Sequence, residues 1–121
     1  MPVRSSSSSV FRWPDAETVG KAAREFAERE SARHGLLRLG YFGSYARGDH
    51  GVGSDLDFVA VVASSDTPFF ERGSDWDLAL LPVPAEIPVF TSAEWEKLMA
   101  SGSRFATALR RETVWLRGDR G

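Results

Sequence analysis

From Asp15 onward the apolar residues Val19, Ala22, Ala23, Phe26 and Ala27 recur at helical spacing, while Lys21, Arg24, Glu25, Glu28 and Arg29 fall elsewhere. That period predicts an amphipathic helix over Asp15 to Arg33, capped by Asp15 and ended by Gly35. The pattern then changes. Leu36, Leu37, Leu39, Tyr41 and Phe42 form a short apolar run that stops at Gly43, as a buried strand does. Leu56-Asp57-Phe58-Val59-Ala60-Val61-Val62 is the strongest strand signal in the chain, with β-branched residues in a row.

The stretch from Ser64 to Pro84 has no clear period. Turn residues lead into Trp76-Asp77-Leu78-Ala79-Leu80-Leu81, which fits a short helix or a strand equally. Glu86 to Phe90 reads as a strand, and Pro88 within it favours a sheet edge, because proline has no N–H to give a ladder. Thr91-Ser92-Ala93-Glu94 is a capping box opening a helix with Trp95, Leu98 and Met99. Beyond Gly102, Phe105, Ala108 and Leu109 predict another helix, and Thr113 to Leu116 a last strand. Met1 to Trp13, with serine at positions 5 to 9, has little to bury and reads as a mobile tail. The rest, 14–118, describes a single small α/β (α+β) domain without internal repeats.

Composition narrows the chemistry. A chain of 121 residues with 42% hydrophobic and 26% charged side chains is of ordinary single-core size and composition. Lys+Arg at 15 against Asp+Glu at 17 leaves a net charge of -2, which disfavours a broad polyanion-binding surface. With Cys at 0 there is no disulfide, thiolate metal site or cysteine nucleophile. No apolar run approaches the length of a membrane span and the N-terminus has no secretory pattern, so a cytoplasmic protein is expected.

The chemistry concentrates between Gly43 and Asp57. Asp55 and Asp57 stand two apart at the start of an apolar strand, so both side chains share a face. Adjacent carboxylates repel, a divalent cation relieves the repulsion, and hard oxygen donors suit Mg²⁺ or Mn²⁺. Gly43-Ser44 follows a strand and opens a helical turn, where free backbone N–H groups and a hydroxyl can hold phosphate oxygens. Other phosphate and metal motifs fail. Gly43 and Gly48 have P-loop spacing, but Asp49-His50 stands where Lys-Ser/Thr is needed, and Gly51-Val52-Gly53 lacks the third glycine of a dinucleotide fingerprint. Asp55-Leu56-Asp57 lacks the later ligands of an EF-hand.

Gly43-Ser44, the ten residues Tyr45 to Ser54, and Asp55-Leu56-Asp57 together resemble the minimal nucleotidyltransferase (MNT) domains of the DNA polymerase β superfamily, whose signature has this spacing. The likeness extends to Gly-Ser-x-Ala-Arg-Gly before the loop and Ser-Asp-x-Asp before the strand. It implies a polymerase-β-like core, a small mixed sheet flanked by helices. It also implies two Mg²⁺ ions, or Mn²⁺, bridging Asp55, Asp57 and a nucleoside triphosphate, ATP being favoured, with pyrophosphate as leaving group. Gly43 and Ser44 would hold the outer phosphates, with Arg47 as a further phosphate contact. In the family a third carboxylate completes the metal site and can help deprotonate the acceptor. Counting back from Thr91, its position falls on Glu86, a glutamate where the family usually has aspartate; Asp77 and Asp75 are the other candidates.

Short members of the family resemble the antitoxin half of a toxin–antitoxin pair and transfer AMP to a helical HEPN partner. The likeness therefore points to a hydroxyl on a partner protein as acceptor rather than nucleic acid, with a homodimer also compatible. Two other readings remain: a catalytically weak nucleotide-binding module that neutralises such a partner by contact, and a transferase acting on a small hydroxylated molecule. His50 is expected to be solvated in its loop. Trp76, Trp95 and Trp115 are expected in the core or facing a partner.

Overall fold

The structure, a computed structural model, describes residues 13–32 and 35–118. Helix α1 is Ala16–Glu30, and Asp15 caps it by accepting from the Thr18 N–H at 2.8 Å. It stops at a Ser31 C-cap, short of the Arg33 expected from periodicity; residues 33 and 34 lie outside the described residues. Strand β1 is Leu36–Phe42, the single-turn helix α2 is Ser44–Arg47, and strand β2 is Leu56–Val62. The stretch from Ser64 to Pro84 contains two 3₁₀ stretches, Phe69–Asp75 and Leu78–Leu80. Strands β3 (Ala85–Glu86) and β4 (Val89–Thr91) follow, then α3 (Ser92–Ser101), α4 (Arg104–Glu112) and β5 (Val114–Arg117).

β1 lies antiparallel between β2 and β5, while β3 and β4 run parallel to β2 along its other side. The strand expected over Glu86 to Phe90 is thus interrupted at Ile87 and Pro88, on the sheet edge where a proline is tolerated. At Gly40 a Cβ would stand 2.7 Å from the Val114 carbonyl oxygen, so β5 can cross β1 only because no side chain is there.

β2 is buried on both faces. Leu56, Phe58, Ala60 and Val62 pack with Val19, Ala23, Phe26 and Ala27 of α1. Val59 and Val61 pack with Trp95 of α3 and Leu109 of α4. The unbroken apolar run in the sequence follows from this sandwiching. The segment from Ser64 to Pro84 is fastened by side chains instead of by a regular element. Trp76, Leu81 and Val83 enter the α1-side core, and buried Arg72 donates to the Thr67 and Val89 carbonyls and to the Glu94 carboxylate. Trp13, grouped by its sequence with the tail, instead packs against the same core; residues 1 to 12 lie outside the described residues. No helix among the described residues is long and apolar enough to cross a membrane.

Candidate active site

Three chain segments meet at the N-terminal end of β2. The first is the turn at Gly43, which has φ +79° and ψ -153°, a conformation open in practice only to glycine. A Cβ there would lie 2.6 Å from Asp57 Oδ2, so the glycine also lets the turn approach that carboxylate. Ser44 follows as the first residue of α2, whose opening amides have no partner within so short a helix.

The second segment carries the carboxylates. Asp57 is half-buried and Asp55 exposed. A small turn sets the approach to Asp55: Ser54 N–H donates to the Gly51 carbonyl at 3.0 Å and Gly51 N–H donates to Ser54 Oγ at 2.8 Å. Leu56 N–H then donates to the Pro84 carbonyl at 2.8 Å, drawing in the third segment. There Glu86 of β3 is the register partner of Asp57. Neighbouring strands lie about 4.8 Å apart, so the two carboxyl groups share a face at adjacent positions.

The electrostatics match this crowding. The Asp57 carboxyl is raised above its ordinary value, first by burial, then by the charges of Glu86 and Asp55, with Arg47 opposing them. Raised carboxylates of this kind are relieved by a cation, and oxygen donors suit Mg²⁺ or Mn²⁺, so Asp55, Asp57 and Glu86 are chemically fit to hold one. Among the described residues, no group of three His, Asp or Glu is already gathered closely enough to hold a metal ion. Substrate phosphates commonly supply the remaining ligands of Mg²⁺.

The other candidates lie apart from this meeting point. Asp75 lines a small hollow with Val62, Ser64 and Arg72, at the far end of β2. Six residues of strand put that end about 20 Å away. Asp77 is exposed ahead of the second 3₁₀ stretch and is not among the charges acting on Asp57. Arg47 donates to Asp49 at 3.0 Å and to Glu112 at 3.2 Å, clamping α2 to α4 while its charge still reaches Asp57.

His50 departs from its expected solvated state. Its ring stacks on Tyr45, with centroids 4.3 Å apart and planes 17° from parallel. Spacing carries no signal for that contact, since the pair faces each other only after α2 turns the chain back. Trp76 and Trp95 are buried, and Trp115 is half-buried, edge-on to Trp95 with the Arg38 guanidinium over both rings.

Residues 20–99 match the family model described as a nucleotidyltransferase domain. A solved structure of a candidate nucleotidyltransferase from Sulfolobus solfataricus is 20% identical, with 83% of this chain and 80% of that one covered and a TM-score of 0.58. A toxin–antitoxin structure solved with AMP-PNP is 17% identical over 87% of this chain and 74% of that one, with a TM-score of 0.45. No curated protein matches the chain. At 20% identity the likeness to the first structure is one of fold.

Proposed function

Because the chain belongs to the nucleotidyltransferase-domain family, whose chemistry moves a nucleoside monophosphate from a triphosphate, we propose that the donor is ATP and the acceptor a hydroxyl on a partner protein. The partner would be a helical HEPN-type protein, and the chain would serve as its MNT-type antitoxin. One observation carries the reading of the site: Asp57 stands between the Gly43-Ser44 turn and Glu86 at its own register.

In this reading the Ser44 hydroxyl and the first amides of α2 bind the outer phosphates and orient the α-phosphorus for in-line attack. Asp55, Asp57 and Glu86 would hold Mg²⁺, which supplies charge neutralisation on the triphosphate when bound. Glu86, exposed at the edge strand, accepts the proton from the acceptor hydroxyl. The attacking oxygen forms its bond to the α-phosphorus, the bond to the bridging oxygen breaks, and pyrophosphate leaves. A protein acceptor is favoured over nucleic acid because acids outnumber bases and the arginines are interspersed among them rather than clustered into a basic track.

A second reading, neutralisation of the partner by contact with little turnover, draws on the exposure of Glu86 and the ungathered carboxylates. One experiment separates the two. The protein is incubated with α-labelled ATP, Mg²⁺ and the protein encoded beside it, and separately with tRNA and other small RNAs. Label on the partner protein supports transfer; label on RNA alone would overturn the choice of acceptor. Partner inhibition without label would favour the contact reading.

A further inference from the structure

α2 is one turn long, Ser44–Arg47. Four residues cannot repay the cost of helix nucleation, so the turn must be held from outside. Arg47 supplies one exposed clamp. The buried one is Tyr45, 8% exposed and adjacent to Ser44. Its hydroxyl accepts from Trp13 Nε1 at 2.8 Å, and its ring carries the stacked His50. Trp13 belongs to the approach to α1, and His50 to the stretch that leads from α2 to Asp55. Three separate pieces of chain are therefore joined at the residue after Ser44.

His50 Nδ1 is buried without a hydrogen-bond partner. A buried polar atom left unpaired costs stability, whereas an apolar ring of similar shape carries no such penalty. The contact that holds this imidazole against Tyr45 is its face.

We propose that Trp13, hydrogen-bonded to Tyr45, and His50, stacked on it, form a positioning cluster that sets Ser44 and the 48–55 loop for the triphosphate, with His50 acting through its ring face and not by proton transfer. The inference rests on the reading of Ser44 as a phosphate ligand. The His50 ring stacked on Tyr45 ties the 48–55 loop to the residue after Ser44, and displacements of an ångström at such sites are costly.

The test compares His50→Ala with His50→Phe. His50→Ala is expected to raise KM for MgATP about tenfold with kcat within about twofold, since it loosens a binding element and removes no reacting group. Amide exchange over 44–55 should quicken in that variant while exchange in β2 stays unchanged. His50→Phe should keep KM, kcat and exchange at wild-type values. Equal loss of kcat in both variants would overturn the proposal in favour of imidazole chemistry. Wild-type KM and exchange in His50→Ala would overturn it outright. A wild-type protein that transfers no nucleotide would refute the proposed function, and the exchange measurement would then decide on the cluster by itself.

Discussion

Gly43 answers two demands at once, a positive φ and the approach of Asp57. Gly43→Ala should cost about 1–3 kcal/mol in a denaturant melt and displace the Asp57 carboxylate, abolishing transfer. An unchanged midpoint would refute the strain argument. For Asp57 the sign runs the other way. Its carboxyl is raised, mainly by burial and then by Glu86, so the folded chain holds that proton more tightly than the unfolded chain and ionisation costs stability. Metal-free Asp57→Asn should therefore melt at or above the wild type at pH 7. The advantage should fade as the pH falls through the raised Asp57 value toward the ordinary aspartate value of about 4, and be gone well below it, where the wild-type carboxyl is protonated in both states. For Glu86→Gln we expect a loss in kcat of about a hundredfold with nucleotide binding largely kept, against a change within about twofold for Asp77→Asn. The reverse ranking in steady-state kinetics would move the third carboxylate to Asp77.

At the scale of elements, α3 shows how local chemistry and tertiary contact share one residue. Glu94 completes the capping box with Thr91 and also receives Arg72 through both carboxylate oxygens, at 2.6 and 3.2 Å. The Arg72 hydrogen bond, and then the Thr91 amide, hold its carboxyl down to about 2. A lowered carboxyl contributes stability that is complete above the ordinary glutamate range and lost as the pH falls toward about 2. Glu94→Gln should accordingly destabilise by about 1 kcal/mol at pH 7 and flatten the acid limb of the stability curve between about pH 4.5 and 2. The figure stays small because the Glu94 side chain is 43% exposed and partly screened. Melts across that pH range check it; an acid limb identical in the variant would show that Glu94 is not what titrates.

For the whole molecule, the position of the site makes nucleotide binding and global stability one measurement. β2 is the strand on which both cores close, and Asp55 and Asp57 flank its first residue. A ligand held there stabilises the native state by mass action, about 2.7 kcal/mol at a hundred times its Kd. Saturating MgATP is expected to raise Tm by roughly 10 °C. The rise should vanish with EDTA and in the Asp55→Asn/Asp57→Asn double variant. An equal rise under all three conditions would remove these carboxylates from the nucleotide site.

Local chemistry was legible in the chain alone. β2, the Asp15 cap, the Thr91 capping box and the turn at Gly43 each depend on residues within a few positions of one another, so periodicity and spacing report them directly. The family resemblance likewise rested on one contiguous stretch; the family match bears out its nucleotidyltransferase-domain part, and the mixed sheet the expected fold class. The family's spacing before Thr91 points to Glu86, whereas its pairing with Asp57 depends on the parallel register of β3 on β2, which no local pattern encodes. The 64–84 segment shows no period because it is held by Arg72 and Trp76 reaching distant elements rather than by a regular element of its own. Trp95 fits the core or a partner surface equally by its sequence, and only the packing of α3 on the sheet decides for the core, beside Val59, Val61 and Leu109. His50 is a loop residue expected to be solvated, and only the turn of the chain at α2 brings its ring onto Tyr45. Spacing along the chain reports neighbours within a turn or a strand, whereas contacts between elements exist only once the cores on both faces of β2 have closed.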